Sequence, residues 1–127
     1  MSLVALAAVV FAANPVMVGA KLDAMQDHAK SNGKGTFAAT ITGTKLTWKL
    51  TFKGLTGPAS AAHIHVGAKG KSGNVLIALC GPCKSGQSGT TRITAMQRRD
   101  VEKGLTYVNV HTAKYPNGEI RGQIAAH

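Results

Sequence analysis

Apolar and polar residues alternate through much of the chain after residue 35. Apolar residues recur at every second position over residues 37–41 and again over residues 46–52. A period of two predicts strands with one buried and one solvated face. Gly43-Thr44, which separates the two segments, predicts a hairpin turn.

The same pattern continues to the end of the chain. The uninterrupted apolar run Val75–Leu79 predicts a strand that is covered on both sides, and a further strand is expected over Thr90–Thr94. Residues Met96–Lys103 predict the one helix, which Gly104 ends. Leu105–Thr112 and Glu119–Ala125 predict the last two strands. We therefore expect an all-β fold, a Greek-key or immunoglobulin-like β-sandwich of about seven or eight antiparallel strands with one short helix.

The first residues form a separate segment in composition. Leu3–Ala20 carries no charged side chain, and Val18-Gly19-Ala20 has the small residues of a signal-peptidase site. The run predicts a signal peptide over residues 1–20 and a domain over 21–127, in a secreted, extracellular or periplasmic protein. No Lys or Arg precedes the run, so two alternatives stay open: an uncleaved N-terminal membrane anchor, and an apolar strand of the mature fold.

Composition narrows the class of protein. At 127 residues the chain favours a single domain, and 44% hydrophobic residues exclude wholesale disorder. Lys and Arg exceed Asp and Glu by 15 to 5, which gives a net charge of +10. Fifteen glycines and six aromatic residues indicate many tight turns around an aliphatic core.

Three histidines are placed by the strand period. In the segment Ala62–Val66, Ile64 and Val66 share one face, so His63 and His65 share the other, about 6–7 Å apart. His111 lies opposite the valines of its own strand. If the two strands are neighbours, the three imidazoles converge.

Neutral imidazoles suit copper or zinc, so His63, His65 and His111 are candidate metal ligands. The alternative is that these histidines only form local hydrogen bonds. His28 and His127 are not expected to take part. The last hairpin predicts an outward polar face beside the site, formed by Tyr107, Asn109, Glu119, Arg121 and Gln123.

Residues 80–83 have the Cys-Gly-Pro-Cys sequence of thioredoxin active sites. Redox catalysis of that type needs a helix after the first cysteine, and residues 84–89, which are rich in Gly and Ser, cannot sustain one. In an exported protein these cysteines are expected to form a disulfide. Two thiols alone make an incomplete metal site, although histidines from a neighbouring loop could complete it.

The lysines suggest a partner. Lys45, Lys49 and Lys53 lie on one strand face, and three more lie in loops, at Lys69, Lys71 and Lys84. They predict attraction to an anionic polymer or lipid headgroups that weakens with salt, the alternative being a solvated surface. Nucleic acid is not expected, since no interleaved aromatic residues offer stacking. No nucleophile triad, phosphate loop or carboxylate pair is visible, so we expect no enzyme.

Two long segments carry a family resemblance, AAHIHVGAKGKSGNV and YVNVHTAKYPNGEIRGQI. They resemble the CHRD domain, the module named after chordin, over about Lys21–Ile124. The resemblance implies a non-catalytic extracellular β-sandwich that acts in binding or structure, with an extracellular protein as partner, whereas the lysines predict an anionic polymer.

A second, weaker resemblance is to the copper/zinc superoxide dismutase sandwich, in which a strand His-x-His supplies copper ligands. Only His63 and His65 match it. The zinc cluster of that enzyme and its anion-guiding Arg have no counterpart here, so no dismutase activity is expected.

Overall fold

A computed structural model describes residues 14–127. It contains one helix, α1 (Ala95–Glu102). The strands of the described part, in chain order, are β1 (Val16–Leu22), β2 (Lys34–Thr42), β3 (Lys45–Lys53), β4 (Ala59–Val66), β5 (Val75–Cys80), β6 (Gln87–Arg92), β7 (Thr106–Thr112), β8 (Ile120–Gln123) and β9 (Ala125–Ala126).

The strands form two sheets, and every pair of neighbouring strands in them is antiparallel. Sheet A has the order β6-β3-β2-β1-β9, and sheet B has the order β5-β4-β7-β8. The prediction of an all-β sandwich with one short helix is confirmed. The pairing of β4 with β7 matters for function, because it brings the two strands that carry the histidines side by side.

The core lies between the sheets and follows the predicted alternation. Sheet A contributes Phe37, Ile41 and Leu50, whereas sheet B contributes Ile64 and Val108, and all five are almost completely buried. The remaining buried aliphatic residues of both sheets join the same cluster, whereas the buried Tyr107 lies outside it. The alternation thus fixes which side chains of each strand face inward and which face outward.

The predicted hairpin turn is present, and the helix has a defined start. Gly43 connects β2 to β3 with a φ of 60°, a conformation that glycine adopts without strain. Thr94 caps α1 by accepting a hydrogen bond from the amide of Gln97, whose side chain in turn accepts from the amide of Thr94. Such a capping box satisfies amides that a helix start otherwise leaves without partners.

One strand differs from its prediction. The apolar run at β5 was expected to be covered on both sides, but β5 is an edge strand of sheet B. Val75 is 52% exposed and Ala78 is exposed as well. The error arises because a continuous apolar run is compatible with both positions, and only the long-range pairing decides between them.

The N-terminal boundary of the domain also differs from the expected one. Residues 16–20, predicted to belong to the signal segment, form most of β1 between β2 and β9. Val18 and Leu22 are 1% and 2% exposed. Cleavage after Ala20 would therefore remove a paired part of sheet A, which favours the alternative in which this run is a strand of the mature fold.

The apolar and small residues of 16–20 suit a strand as well as a signal segment, which is why composition did not separate the two. Residues 1–13 of the predicted signal peptide lie outside the described residues. In the described part of the chain, α1 is too short and too polar to span a bilayer. No helix there is both long enough and apolar enough to do so.

The cysteines form the expected disulfide between Cys80 and Cys83. The amide of Cys83 donates to the carbonyl of Ala59, so the disulfide-bonded turn is tied to the first residue of β4. Neither cysteine is free to act as a thiolate ligand.

Candidate metal centre

The three candidate histidines converge on the outer face of sheet B. In the ladder between β4 and β7, His65 lies opposite Tyr107 and His63 opposite Asn109. One nitrogen from each of His63, His65 and His111 lies within 4.8 Å of the other two. The closest approach joins His63 Nδ1 and His111 Nε2 at 3.1 Å. We call these three residues the histidine cluster.

Backbone carbonyls orient two of the three rings. His65 Nδ1 is 3.0 Å from the carbonyl oxygen of Gly73, and His111 Nδ1 is 3.0 Å from that of Pro116. A carbonyl oxygen only accepts hydrogen bonds, so both Nδ1 atoms carry the proton and both Nε2 atoms keep a lone pair. Orientation of a ligand imidazole through its other nitrogen is the usual arrangement at metal sites.

Neither lone pair accepts a hydrogen bond from a described residue outside the cluster. His65 Nε2 is buried and has no hydrogen-bond partner. His111 Nε2 can only accept, so without an ion the proton in the short contact belongs to His63 Nδ1, which donates to it. A metal ion would replace this hydrogen bond and would also give His65 Nε2 a partner.

Two of the three imidazoles have pKa values shifted toward the neutral form that metal binding requires. Burial lowers the pKa of His63, and the neighbouring His65 lowers it further. Burial also lowers the pKa of His111, against the opposing effect of its bond to Pro116, and His63 and His65 add to the lowering. Both rings therefore stay unprotonated at neutral pH.

An aromatic and cationic stack supports the cluster from one side. The Tyr107 ring lies parallel to that of His65, with centroids 4.9 Å apart, and the Arg121 guanidinium lies 3.4 Å from the Tyr107 ring centre. The Tyr107 hydroxyl accepts from the amide of Gly73, and Arg121 donates to the carbonyl of Lys71 at 2.6 Å. The loop 67–74 is thereby held against the histidines.

A second segment covers the polar face. Asn109 donates from Nδ2 to both carboxylate oxygens of Asp27, at 3.0 and 3.1 Å. Burial raises the pKa of Asp27, and Asn109 and Arg121 act against that rise. Asp27 was missed in the sequence, because residues 21–34 have no periodic pattern that indicates which side chains turn back to the sheet.

The predicted polar face is only partly correct. Tyr107, Asn109 and Arg121 lie beside the histidines as expected, but they are 3%, 3% and 4% exposed and thus buried. The strand period indicates on which side a residue lies but not what covers that side. Here the segments 23–33 and 67–74 do so. Gln123 is half-buried and donates to the carbonyls of Gly67 and Gly104.

Glu119 does not belong to this face. It is fully buried, and its carboxylate accepts hydrogen bonds from the hydroxyls of Ser31, Thr56 and Thr112 and from the amide of Thr56. Burial by itself would raise the pKa of Glu119, but these hydrogen bonds outweigh it and hold the pKa below the ordinary value. Glu119 therefore ties the covering segment, through Ser31, to the end of sheet B.

The other two histidines do not belong to the cluster. Among the described residues the group of potential ligands comprises His63, His65 and His111 only. His28 follows Asp27 in the covering segment. The imidazole of His127 lies over Gly19 of β1, on the outer face of sheet A.

Comparison with known proteins gives one match. A family model described as CHRD domain matches residues 18–124. Neither the curated proteins nor the solved structures include a significant match to this chain. The matched range contains all three residues of the histidine cluster and begins within β1.

Proposed function

The chain belongs to the CHRD domain family, and from this premise we propose that it is an extracellular binding module that holds one copper ion at His63, His65 and His111. CHRD domains are typically extracellular or periplasmic, act as binding modules and are generally non-enzymatic. Family membership supports the compartment and the general class. The metal rests on the histidine cluster alone.

The observation that carries the proposal is the convergence of three imidazole nitrogens, one of them buried without a partner. An ion about 2.0–2.1 Å from each nitrogen needs the nitrogens no more than about 4.2 Å apart. The largest separation within the cluster is 4.8 Å, so small side-chain rotations are sufficient. An unpartnered buried nitrogen costs free energy, which coordination would offset.

The donor set favours copper. It offers three neutral nitrogens and no thiolate, since both cysteines are disulfide-bonded. Such sites bind divalent copper more tightly than zinc or the other first-row metals, whereas calcium and magnesium prefer oxygen ligands. A net charge of +10 repels cations, so affinity depends on the coordination bonds. Three protein ligands leave a position for a solvent molecule or a group of a binding partner.

The test is a titration of the purified domain with Cu(II) and with Zn(II) at neutral pH. We expect one equivalent of copper to bind, more tightly than zinc, and His63→Ala to lose that binding. His28→Ala is the matched control, because His28 lies outside the cluster, and it should bind as the wild type does. Absence of binding at micromolar copper, or equal losses in the two variants, would contradict the proposal.

A further inference from the structure

The outer face of sheet A carries a separate concentration of positive charge. Strand alternation and the cross-strand register direct six exposed cationic side chains outward on this one face. They are Lys21, Lys34, Lys45, Lys49, Lys53 and Arg92, which we call the basic face. The four strands that supply them, β1, β2, β3 and β6, contain no Asp or Glu.

The arrangement works against stability. Lys45 lies directly opposite Arg92, and Lys34 lies directly opposite Lys53. Like charges at directly opposed positions destabilise a sheet. Within the described part of the chain, none of the basic-face residues forms a salt bridge. These charges cost stability and are not neutralised within the described part of the protein, so an anionic partner could neutralise them.

The uncharged positions between the cations are small or hydroxylated. Outward positions at the centre of the face include Gly19, Ala38 and six threonines, Thr36, Thr40, Thr42, Thr47, Thr51 and Thr90. Three shallow depressions of about 260, 300 and 340 Å³ lie along it. The smallest lies between Lys34 and Lys53, with Thr36 and Thr51 in its lining.

We propose that the basic face binds an acidic polysaccharide. Lysine and arginine side chains match carboxylate or sulfate groups, and threonine hydroxyls both donate and accept hydrogen bonds as sugar hydroxyls do. Lys45, Lys49 and Lys53 recur every four residues along β3, a spacing of about 14 Å at about 3.4 Å per residue. Only an extended ligand with repeated charges can contact all three.

The composition of the face argues against other anionic partners. The aromatic side chains of the four strands are Phe37, Trp48 and Phe52, and all three are at inward positions of the alternation, so these strands offer no aromatic ring for stacking on bases. Met17 is the one large apolar side chain exposed on the four strands that form the face, which is little for insertion into a lipid bilayer. The proposal goes beyond the copper site, because the histidine cluster belongs to the other sheet.

The experiment compares two variants that lose the same number of charges. One replaces Lys45, Lys49 and Lys53 with Gln, and the matched control replaces Lys69, Lys71 and Lys84, all exposed in loops, with Gln. Binding to heparin fragments and to polygalacturonate is measured at low salt, with neutral dextran as a ligand control. We expect at least a tenfold loss of affinity in the strand variant and no more than about a threefold loss in the loop variant.

Equal losses in the two variants would show general attraction by net charge and overturn the proposal. Binding to dextran as tight as to the acidic polymers would overturn it too, as would tighter binding to vesicles that contain anionic lipid. Thermal unfolding and copper stoichiometry of both variants are measured alongside. If the strand variant does not fold, the single substitution Lys49→Gln is used with Lys69→Gln as its control. If the strand variant loses affinity for the polysaccharide but still binds copper, the two proposals are tested independently of each other.

Discussion

The outer face of sheet B lies beneath two loop segments, whereas the outer face of sheet A is open to solvent. Under the loops, Tyr107, Asn109 and Arg121 are at most 4% exposed and the histidines have fixed ring orientations. On the open face, the cationic side chains are exposed and have no acidic partners in the strands. The same strand period thus yields a fixed set of neutral ligands on one sheet and a diffuse charge on the other.

The difference concerns the range of the forces involved. Neutral imidazoles act on an ion only at bonding distance and depend on how neighbours hold the rings. Exposed charges act over a Debye length, about 10 Å at 0.1 M salt, and do not need a fixed geometry. We therefore expect the two faces to respond differently to substitution, pH and salt.

The largest effect is expected from removing a ligand of the cluster. His65→Ala should weaken copper binding by at least about 100-fold, since loss of outer partners alone costs 10–100-fold at metal sites. Replacing Lys45, Lys49 and Lys53 with Gln should change copper affinity by less than about threefold. Competition titration with a chromophoric chelator measures both. A large loss in the lysine variant would mean that the two faces are not independent.

Glu119→Gln tests whether the covering of sheet B depends on one buried carboxylate. Removing the charge that several hydroxyls and an amide stabilise should reduce the free energy of unfolding at pH 7 by about 1.5–3 kcal/mol. Urea denaturation measures the change. Glu102→Gln is the control, because Glu102 is paired with Arg98 in a partly exposed helical i,i+4 contact, and this substitution should cost less than about 0.5 kcal/mol.

The same variant gives a test against pH. The pKa of Glu119 is lowered in the folded protein, so its contribution to stability is present above the ordinary value of 4.5 and is lost as pH falls through the lowered folded value. The difference between wild type and Glu119→Gln should therefore narrow below pH 4.5. A difference that stays constant from pH 7 to pH 3 would show that the hydrogen bonds do not depend on ionisation.

Polysaccharide affinity and copper affinity should differ in their dependence on salt. Raising the ionic strength from 0.1 M to 1 M shortens the Debye length from about 10 Å to about 3 Å, and polysaccharide affinity should then fall at least tenfold. Copper affinity measured in the same buffers should change by less than about twofold. If both affinities fell together, the cluster would be binding through long-range charge.

The smallest effect concerns the repulsion within the basic face. Lys53→Gln removes the like-charge pair with Lys34 and should raise the free energy of unfolding by about 0.2–1 kcal/mol at low salt. Lys49→Gln is the matched control, because Lys49 faces the uncharged Ala38 and Ser88 on its two sides. Equal stabilities of Lys53→Gln and the control would show that the opposed lysines avoid each other.

The sequence was sufficient where the information is local. Alternation in β4 and β7 placed His63, His65 and His111 outward, and the prediction that they meet needed only that these strands be neighbours. The sequence was insufficient to predict contacts between segments outside one strand. Asp27 reaches Asn109 from a segment without periodicity, and Lys34 meets Lys53 through the register of a hairpin.

Two further errors have the same origin. Residues 16–20 satisfy the composition of a signal segment and of a buried strand, and their pairing with β2 and β9 decides for the strand. The strand alternation assigns Glu119 to the polar face. Its carboxylate is instead buried, where it accepts hydrogen bonds from the hydroxyls of Ser31, Thr56 and Thr112. In both cases a partner far away along the chain takes part, β9 for residues 16–20 and Ser31 for Glu119.

The most direct test of the copper site is the electron paramagnetic resonance spectrum of the domain with one equivalent of Cu(II). We expect a single species with hyperfine coupling to several imidazole nitrogens, and loss of that species in His65→Ala. A spectrum of mixed, oxygen-ligated copper that is the same in the wild type and in His65→Ala would contradict the assignment of the cluster as the metal site.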